Sequence, residues 1–216
     1  HAPNLVEACE AAGVRRAIFF STTSIFSRLE PASKATRLEA ERRICESTLA
    51  WTILRPTMIY GTERDRNLSR LIRFLGRAPV VPLPGGGRAL LQPVYVEDLA
   101  IGVEKVLTAA AAERRAYNMP GAEPAPLRDL VAFVQSKLSR RAPVISVPIG
   151  PIALLAGLWR HTKLPPRFSR EQVLRLAEDK AFEFSEARAD FGYAPRSWKE
   201  GVSAEITRLK EVGWIR

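Results

Sequence analysis

Cysteine is scarce in this chain. Only Cys9 and Cys45 occur, both in stretches of helical periodicity among apolar neighbours. That excludes a disulfide framework and favours buried free thiols. Neither cysteine has metal-ligand spacing, and the only histidines are His1 and His161, so no metal is expected. Long hydrophobic runs are also missing. The longest, Val147 to Trp159, is interrupted by Pro148, Gly150 and Pro151, and a membrane-spanning helix needs about 20 apolar residues. A lining for a substrate cleft, or a patch touching a membrane, stays open for that run. A secretory signal is not visible, which points to the cytoplasm. The first residue is His1 rather than Met, and it opens directly onto an amphipathic pattern. The expectation is a fragment, or a product of an internal start. A long basic tract is absent too, although the net charge is +10 and the pI about 10.2. Arginine is dispersed, with pairs such as Arg42-Arg43 and Arg140-Arg141 but no longer run. With no zinc finger, RNA-binding signature or basic arm, nucleic acid is not the expected partner. A small polyanion such as a nucleotide diphosphate makes better use of local arginines. Repeats, low-complexity segments and flexible linkers are lacking.

What remains is a regular alternation of elements. Leu5, Ala8, Cys9 and Ala12 recur at helical spacing before Gly13. Arg15 to Ser21 is a short run with aromatic and branched residues, which reads as a buried parallel strand. A helix is expected from about Ser33 to Leu49, then a buried strand over Trp51 to Leu54, ended by Arg55-Pro56. Helix, strand, helix, strand with short loops is half of a doubly wound sheet. Further on, the patterns predict a helix over Asp65 to Gly76, a Pro/Gly-rich loop over Pro79 to Gly87 and an extended segment over Leu90 to Val96. They also predict a helix over Asp98 to Leu107, a strand over Ala116 to Met119, a helix around Leu127 to Leu138 and a strand over Val144 to Val147. The remainder reads as helical.

Several motifs then stand in a meaningful order. Gly13-Val14-Arg15-Arg16 leads into Phe19-Phe20-Ser21-Thr22-Thr23. Ser33-Lys34 follows, with Glu39 and Glu41 on the same helix. Leu54-Arg55-Pro56-Thr57-Met58-Ile59-Tyr60-Gly61 comes next, then Gly85-Gly86-Gly87 and Gln92-Pro93-Val94-Tyr95-Val96-Glu97-Asp98-Leu99-Ala100. Tyr117-Asn118 with Gly121, Ser185 to Pro195 and finally Gly201 complete the series. Together these resemble the extended, and in the Gln92 to Asp98 stretch the atypical, short-chain dehydrogenase/reductases of NAD-dependent epimerase/dehydratase type. The resemblance spans Gly13 to Gly201 and implies an α/β fold: a doubly wound parallel, Rossmann-like sheet, of which only the C-terminal part is present, with a smaller, mostly helical substrate lobe. Residues 1–118 would belong to the dinucleotide-binding domain, with 62–90 contributing to the lobe, and residues 119–216 would form the lobe. The family's glycine-rich pyrophosphate turn is not in this chain. The glycines 85 to 87 are not followed by helix-forming residues, whereas such a turn requires a strand before and a helix after, so they read as a plain turn. About a hundred residues of the fold are therefore expected upstream. The chain alone is expected to bind the cofactor poorly, and NAD or NADP stays open.

The resemblance also implies a chemistry. The family moves a hydride at a carbinol carbon. A Tyr acts as acid or base, a Lys four residues later lowers its pKa, and a Ser/Thr hydroxyl bonds the substrate oxygen. Lys34 matches the Lys, but Glu30 stands where the Tyr would be. The catalytic candidates are thus Thr23 (or Thr22), Glu30 and Lys34. Cofactor contacts are expected from Ser21, Thr22, Lys34, Pro56, Thr57 and Met58. Either Glu30 or Lys34 takes the acid/base role, or Tyr60 or Tyr95 reaches in, or the protein has lost catalysis and serves as a binding or assembly subunit. For the substrate, Arg64, Arg66, Arg70, Arg73 and Gln92 are the candidates, since Arg binds phosphate in bidentate fashion. Leu91 stands where many members carry a phosphate-binding Arg. Asp98 suits a helix start whatever the function. The expected activity is that of an NAD(P)-dependent epimerase or reductase of a nucleotide sugar, a keto-sugar reductase of polysaccharide biosynthesis. A lipid-linked or isoprenoid substrate and a homodimer are alternatives kept open.

Overall fold

The computed structural model describes residues 2–29, 32–150, 174 and 177–215. In chain order the elements are α1 (Ala2–Ala11), β1 (Arg16–Phe20), α2 (Ala32–Glu46), β2 (Ala50–Pro56) and β3 (Ile59–Tyr60). Next come α3 (Leu68–Leu75), β4 (Val81–Pro84), β5 (Leu90–Leu91), β6 (Val94–Tyr95), α4 (Val96–Thr108) and β7 (Arg115–Met119). Then follow β8 (Ala125–Pro126), α5 (Leu127–Lys137), β9 (Val144–Val147), α6 (Ser185–Phe191) and α7 (Trp198–Glu211). The chain divides into two compact units. One comprises 1–59, 94–122 and 182–196, the other 60–93, 123–181 and 197–216.

The first unit is built on a parallel sheet of order β1-β2-β7. Phe19 lies opposite Ile53, and Ile53 opposite Ala116. Because strand side chains alternate, each strand feeds two cores. On one face Phe19, Trp51 and Ile53 pack with Val6 of α1 and Ile44 of α2. On the other, Leu54, Tyr117 and Met119 pack with Leu99 and Val106 of α4 and with Ala187, Phe191 and Tyr193. Ile53 and Leu54 are fully buried, and each contributes about 1.5–3 kcal/mol of transfer free energy. This is the helix-on-both-faces α/β architecture expected of a parallel sheet.

The second core explains why 182–196 belongs to this unit rather than to the lobe. Tyr193 Oη donates to the Pro120 carbonyl at 2.7 Å, and Phe191 stacks edge-on against Tyr117. Arg196 Nε donates to Asp98 at 2.9 Å, its own backbone N–H does the same, and its guanidinium lies 4.2 Å from the Tyr95 ring centroid. Asp98 is therefore an internal tie as well as a first-turn acid. Arg16, at the start of β1, donates to the carbonyls of Val106 and Ala109 at the C-terminal end of α4, where a cation suits the helix dipole.

The second unit is helical, with two small sheets. α3, α5 and α7 pack on one another through Leu68, Ile72 and Leu75, through Leu130, Val131 and Val134, and through Val202, Ile206 and Leu209. β4 pairs with β9 in parallel and β5 with β8 antiparallel. Ser197 and Glu200 form a reciprocal capping box at the start of α7.

Several local expectations shift. α3 starts at Leu68, not Asp65, because the Asp65 side chain stays in the loop and accepts from the N–H groups of Asn67, Leu68 and Ser69. β2 runs on through Arg55-Pro56, where Pro56 stands opposite Met119 at the strand's last position. The extended segment over 90–96 is two short strands, and α4 already begins at Val96. Cys45 is exposed, off the stripe of α2 that buries Glu41 and Ile44, and both cysteines are free. Gly85, Gly86 and Gly87 form a 3₁₀ turn with φ of 58°, 68° and 65°. A Cβ at Gly87 would sit 2.9 Å from the Arg128 nitrogen, so glycine is required there for the turn itself. No helix among the described residues is long and apolar enough to cross a membrane.

Candidate functional site

The C-terminal ends of β1 and β2 carry the densest set of expected site residues. In parallel α/β sheets ligands bind beyond these ends. Ser21 leaves β1 with its N–H donated to the Leu54 carbonyl at 2.8 Å. Thr22 caps the 3₁₀ turn Thr23–Phe26, its Oγ1 accepting from the Ser24 N–H at 3.3 Å. Thr23 is buried, and its hydroxyl donates to the Pro56 carbonyl at 3.4 Å. That bond joins the two strand ends. Thr57 leaves β2 with its N–H directed to the Met119 carbonyl at 3.4 Å, and the Met58 carbonyl accepts from the Val94 N–H at 3.0 Å.

Lys34 stands on the first turns of α2, and its Nζ donates to the Ser27 carbonyl at 2.9 Å. The ammonium is thereby held beside the turn that follows β1. Ser27, which the sequence did not single out, is buried and uses its Oγ to accept from the Leu29 N–H. Further along α2, Glu41 takes both Arg55 Nε and a terminal nitrogen of Arg55, and the Arg55 guanidinium lies 5.3 Å from the Phe26 ring centroid. This clamp ties α2 to β2 and to the turn that carries Thr23, and so fixes the approach of Lys34. Glu30 lies outside the described residues.

The hydroxyls at 21 to 23 are not equivalent. Ser21 Oγ is buried without a hydrogen-bond partner. A buried hydroxyl left unsatisfied costs about 1–3 kcal/mol, so the position fits a group that arrives with a donor or acceptor. The strand ends, the held ammonium and this open hydroxyl fit a nicotinamide ribose, which is a polyol. Ser21, Thr22, Lys34, Pro56, Thr57 and Met58 are the residues of this unit that would hold it.

The tyrosines are engaged elsewhere. Tyr60 is buried with its hydroxyl 3.5 Å from the Trp198 carbonyl. Tyr95 is buried beneath Arg196. Neither is presented as a replacement acid. Tyr117 Oη donates to Asp190 at 2.6 Å, and burial with that bond pushes its phenol well above the ordinary range.

The substrate candidates all fall in the second unit. Arg64 has 91% of its side chain exposed, with Glu63 at 3.8 Å. Arg66 is exposed, and Gln92 is buried. Arg70 and Arg73 do come together. With Phe74, Arg77 and Ala78 they line a depression of about 340 Å³ on the outer side of α3. Arg73 stacks on Trp214, 4.4 Å from its ring centroid. Arg77 was missed by the sequence reading, because it lies past the end of α3, in the turn after Gly76. The apolar segment Ile149 to Trp159 lies, after Gly150, outside the described residues. No group of three or more His, Cys, Asp or Glu side chains among the described residues is placed to hold a metal.

Residues 1–73 match a family model described as NAD(P)H-binding. The chain is similar to the 2-alkyl-3-oxoalkanoate reductase of Stenotrophomonas maltophilia (strain K279a), at 28% identity over 92% of this chain and 70% of that protein. It is also similar to the N-acetyl-alpha-D-glucosaminyl-diphospho-ditrans,octacis-undecaprenol 4-epimerase of Escherichia coli O157:H7, at 23% identity over 94% of this chain and 68% of that one. The chain spans only about half, 52% and 51%, of two further curated relatives. Among solved structures, UDP-glucuronic acid 4-epimerase from Bacillus cereus in complex with NAD superposes with a TM-score of 0.73 at 19% identity, covering 98% of this chain and 66% of that one.

Proposed function

We propose, from the premise that this chain belongs with the NAD(P)-binding short-chain dehydrogenase/reductases of epimerase/dehydratase type, that it carries the catalytic strand ends of a reductase or epimerase working at a carbinol carbon. The specific reading is a keto-sugar reductase acting on a nucleotide sugar in polysaccharide biosynthesis. The observation that supports it most is the grouping of Ser21, Thr22, Thr23 and Lys34 beyond β1, with Ser21 Oγ left open. Nicotinamide, when bound, supplies or accepts the hydride. The chain's own part is to hold the carbinol oxygen and to manage its proton. Thr23 offers a hydroxyl whose bond to Pro56 is long, at 3.4 Å, and is readily exchanged for a substrate oxygen. Lys34 supplies the charge that favours the oxyanion, and it or Glu30 carries the proton that the family's Tyr carries elsewhere. Arg70 and Arg73, which line one depression on α3, are the arginines proposed to meet a substrate diphosphate.

A second reading concerns the substrate alone. Two relatives are named for an alkyl oxoalkanoate and for an undecaprenol-linked sugar, both lipophilic. With Leu91 in place of the usual Arg, a lipid-like keto substrate is the alternative to a free nucleotide sugar.

The test uses the full-length protein. NADH and NADPH consumption is followed with UDP-4-keto-6-deoxy sugars and, in parallel, with a 2-alkyl-3-oxoalkanoate. Lys34→Met is expected to abolish turnover while the melting curve stays unchanged. Bound cofactor with no consumption of either substrate class would replace this reading with that of a binding or assembly subunit.

A further inference from the structure

Among the described residues, one end of the second unit presents cations and apolar side chains from two stretches that carry no carboxylate. Residues 66–96 and 130–150 contain no Asp or Glu. The two stretches meet where α3 and α5 end. Gly76, the C-cap of α3, faces Leu138 Cδ1. The Val81 N–H donates to the Pro143 carbonyl at 2.9 Å, and Val81 pairs with Val144. On the first arm Phe74 is 47% exposed, with Arg77 and Val80 beside it. On the second, Arg140 and Arg141 are exposed just before Val144 and Ile145.

β9 is unusual in its burial. A strand normally hides one of its two alternating faces. Here the neighbours Val144 and Ile145 point to opposite faces, and each is about half exposed, at 49% and 52%. The turn before them is nonetheless well fixed. Gln135 Nε2 donates to the Ala142 carbonyl at 2.9 Å, and the Arg140 N–H donates to the Gln135 carbonyl at 2.9 Å. Arg77, Arg140 and Arg141 form no ion pair with any described carboxylate. Exposed apolar groups interleaved with guanidiniums that have no described carboxylate partner mark an interaction surface. They suit a surface that offers many phosphates above an apolar interior.

We propose that this end of the unit, formed by the α3–β4 turn and the α5–β9 turn, docks on an anionic lipid bilayer. Arg77, Arg140 and Arg141 meet headgroup phosphates, and Phe74, Val144 and Ile145 enter the headgroup–acyl boundary. Charge complementarity selects this occupant: the phosphates of a zwitterionic surface are balanced by their own cations, so it carries no net negative charge, and a second copy of the same basic face offers no matching anions. The contact is peripheral, with side-chain insertion only.

The experiment is flotation of the full-length protein with vesicles of phosphatidylcholine containing 40% phosphatidylglycerol, against pure phosphatidylcholine. Binding is expected to the anionic vesicles alone and to fall at high salt. Neutralising one arginine is expected to lower the partition coefficient about fivefold. Arg140→Gln/Arg141→Gln together should then lower it by about 25-fold. Phe74→Ser, an exposed position that leaves the core untouched, should weaken binding without changing its salt dependence. Arg37→Gln, an exposed arginine of α2, should change nothing. Equal partition of the wild type into both vesicle types overturns the proposal, and so does unchanged binding of the double arginine variant. Binding to a single-stranded RNA homopolymer with none to vesicles also overturns it, and assigns the face to nucleic acid.

Discussion

Glu205 offers the sharpest prediction on stability. It sits on α7 among Val202, Ile206 and Leu209, fully buried, with the Asp65 carboxylate beside its own. Burial, and after it the neighbouring Asp65, pushes its pKa from 4.5 to about 10. Asp65 cannot turn away, because its carboxylate accepts the backbone N–H groups that open α3. A carboxyl in such a place stays protonated at neutral pH, since ionising it would leave a buried charge beside a like charge. The folded state therefore holds a proton that the unfolded chain releases above its ordinary pKa. Stability from this group is complete below about 4.5 and is lost as pH rises towards about 10. The slope is about 1.4 kcal/mol per pH unit, so the loss at pH 7 is on the order of 3 kcal/mol. Glu205→Gln keeps the shape and removes the proton. It should leave stability near pH 4.5 unchanged, raise it at pH 7 by up to that amount, and raise it further at pH 9. Urea unfolding at three pH values, followed by tryptophan fluorescence, measures this. Parallel pH profiles for wild type and variant, or a less stable variant at pH 9, would refute the reasoning.

Three further substitutions separate packing from function. Ser21→Ala removes a buried hydroxyl that bonds nothing described, so the melting temperature should rise, with a gain in stability of up to the about 1–3 kcal/mol the unsatisfied group costs, while NADH titration of the full-length protein shows roughly five- to tenfold weaker binding, one lost hydrogen bond. Gly102→Ala puts a methyl 2.6 Å from Met119 Cε and 3.0 Å from Tyr193 Cδ2. The clash should outweigh the gain in helix propensity and cost about 1–3 kcal/mol in denaturant unfolding. Asp98→Ala strands Arg196, whose Nε and N–H it holds at 2.9 Å; a loss of about 3 kcal/mol is expected, with cofactor affinity unchanged if the tie is only structural.

The first unit was legible in the sequence because its signals are local. Runs such as Ala17 to Phe20 and Trp51 to Leu54 read as strands; the second is buried throughout, while β1, outermost in the described sheet, buries Phe19 and leaves Phe20 exposed. Gly13 and Pro56 mark where they begin and end. What escaped was set by distant partners. Nothing near Phe182 to Arg196 says that these residues return to the sheet. That depends on Tyr193 reaching Pro120 and Arg196 reaching Asp98. The start of α3 was misplaced for a similar reason: Asp65 is a good first-turn residue by type, but its side chain does more as a cap from outside the helix. Cys45 has apolar neighbours in sequence and still faces solvent, because the buried stripe of α2 passes through Glu41, which Arg55 neutralises.

The candidate site shows the same division more finely. Three consecutive hydroxyls at 21, 22 and 23 are equivalent in a sequence, and a resemblance can rank them only by position. Hydrogen-bond accounting ranks them by what each has left to give. Thr22 spends an acceptor on the turn it caps, and Thr23 spends its proton on Pro56. Ser21 alone keeps both, although it is buried where water cannot satisfy it. The same accounting bears on Lys34. By type, Lys34 was as good a surface lysine as a catalytic one. Its ammonium is instead drawn to the Ser27 carbonyl, beside the turn that carries the hydroxyls, and the Arg55–Glu41–Phe26 clamp keeps helix and turn in register. A solvated lysine needs no such support. A lysine that must meet a ribose and a substrate oxygen does, because a displacement of about 1 Å at a catalytic group costs on the order of a hundredfold in rate. Breaking the clamp with Glu41→Gln should therefore lower kcat more than it raises KM.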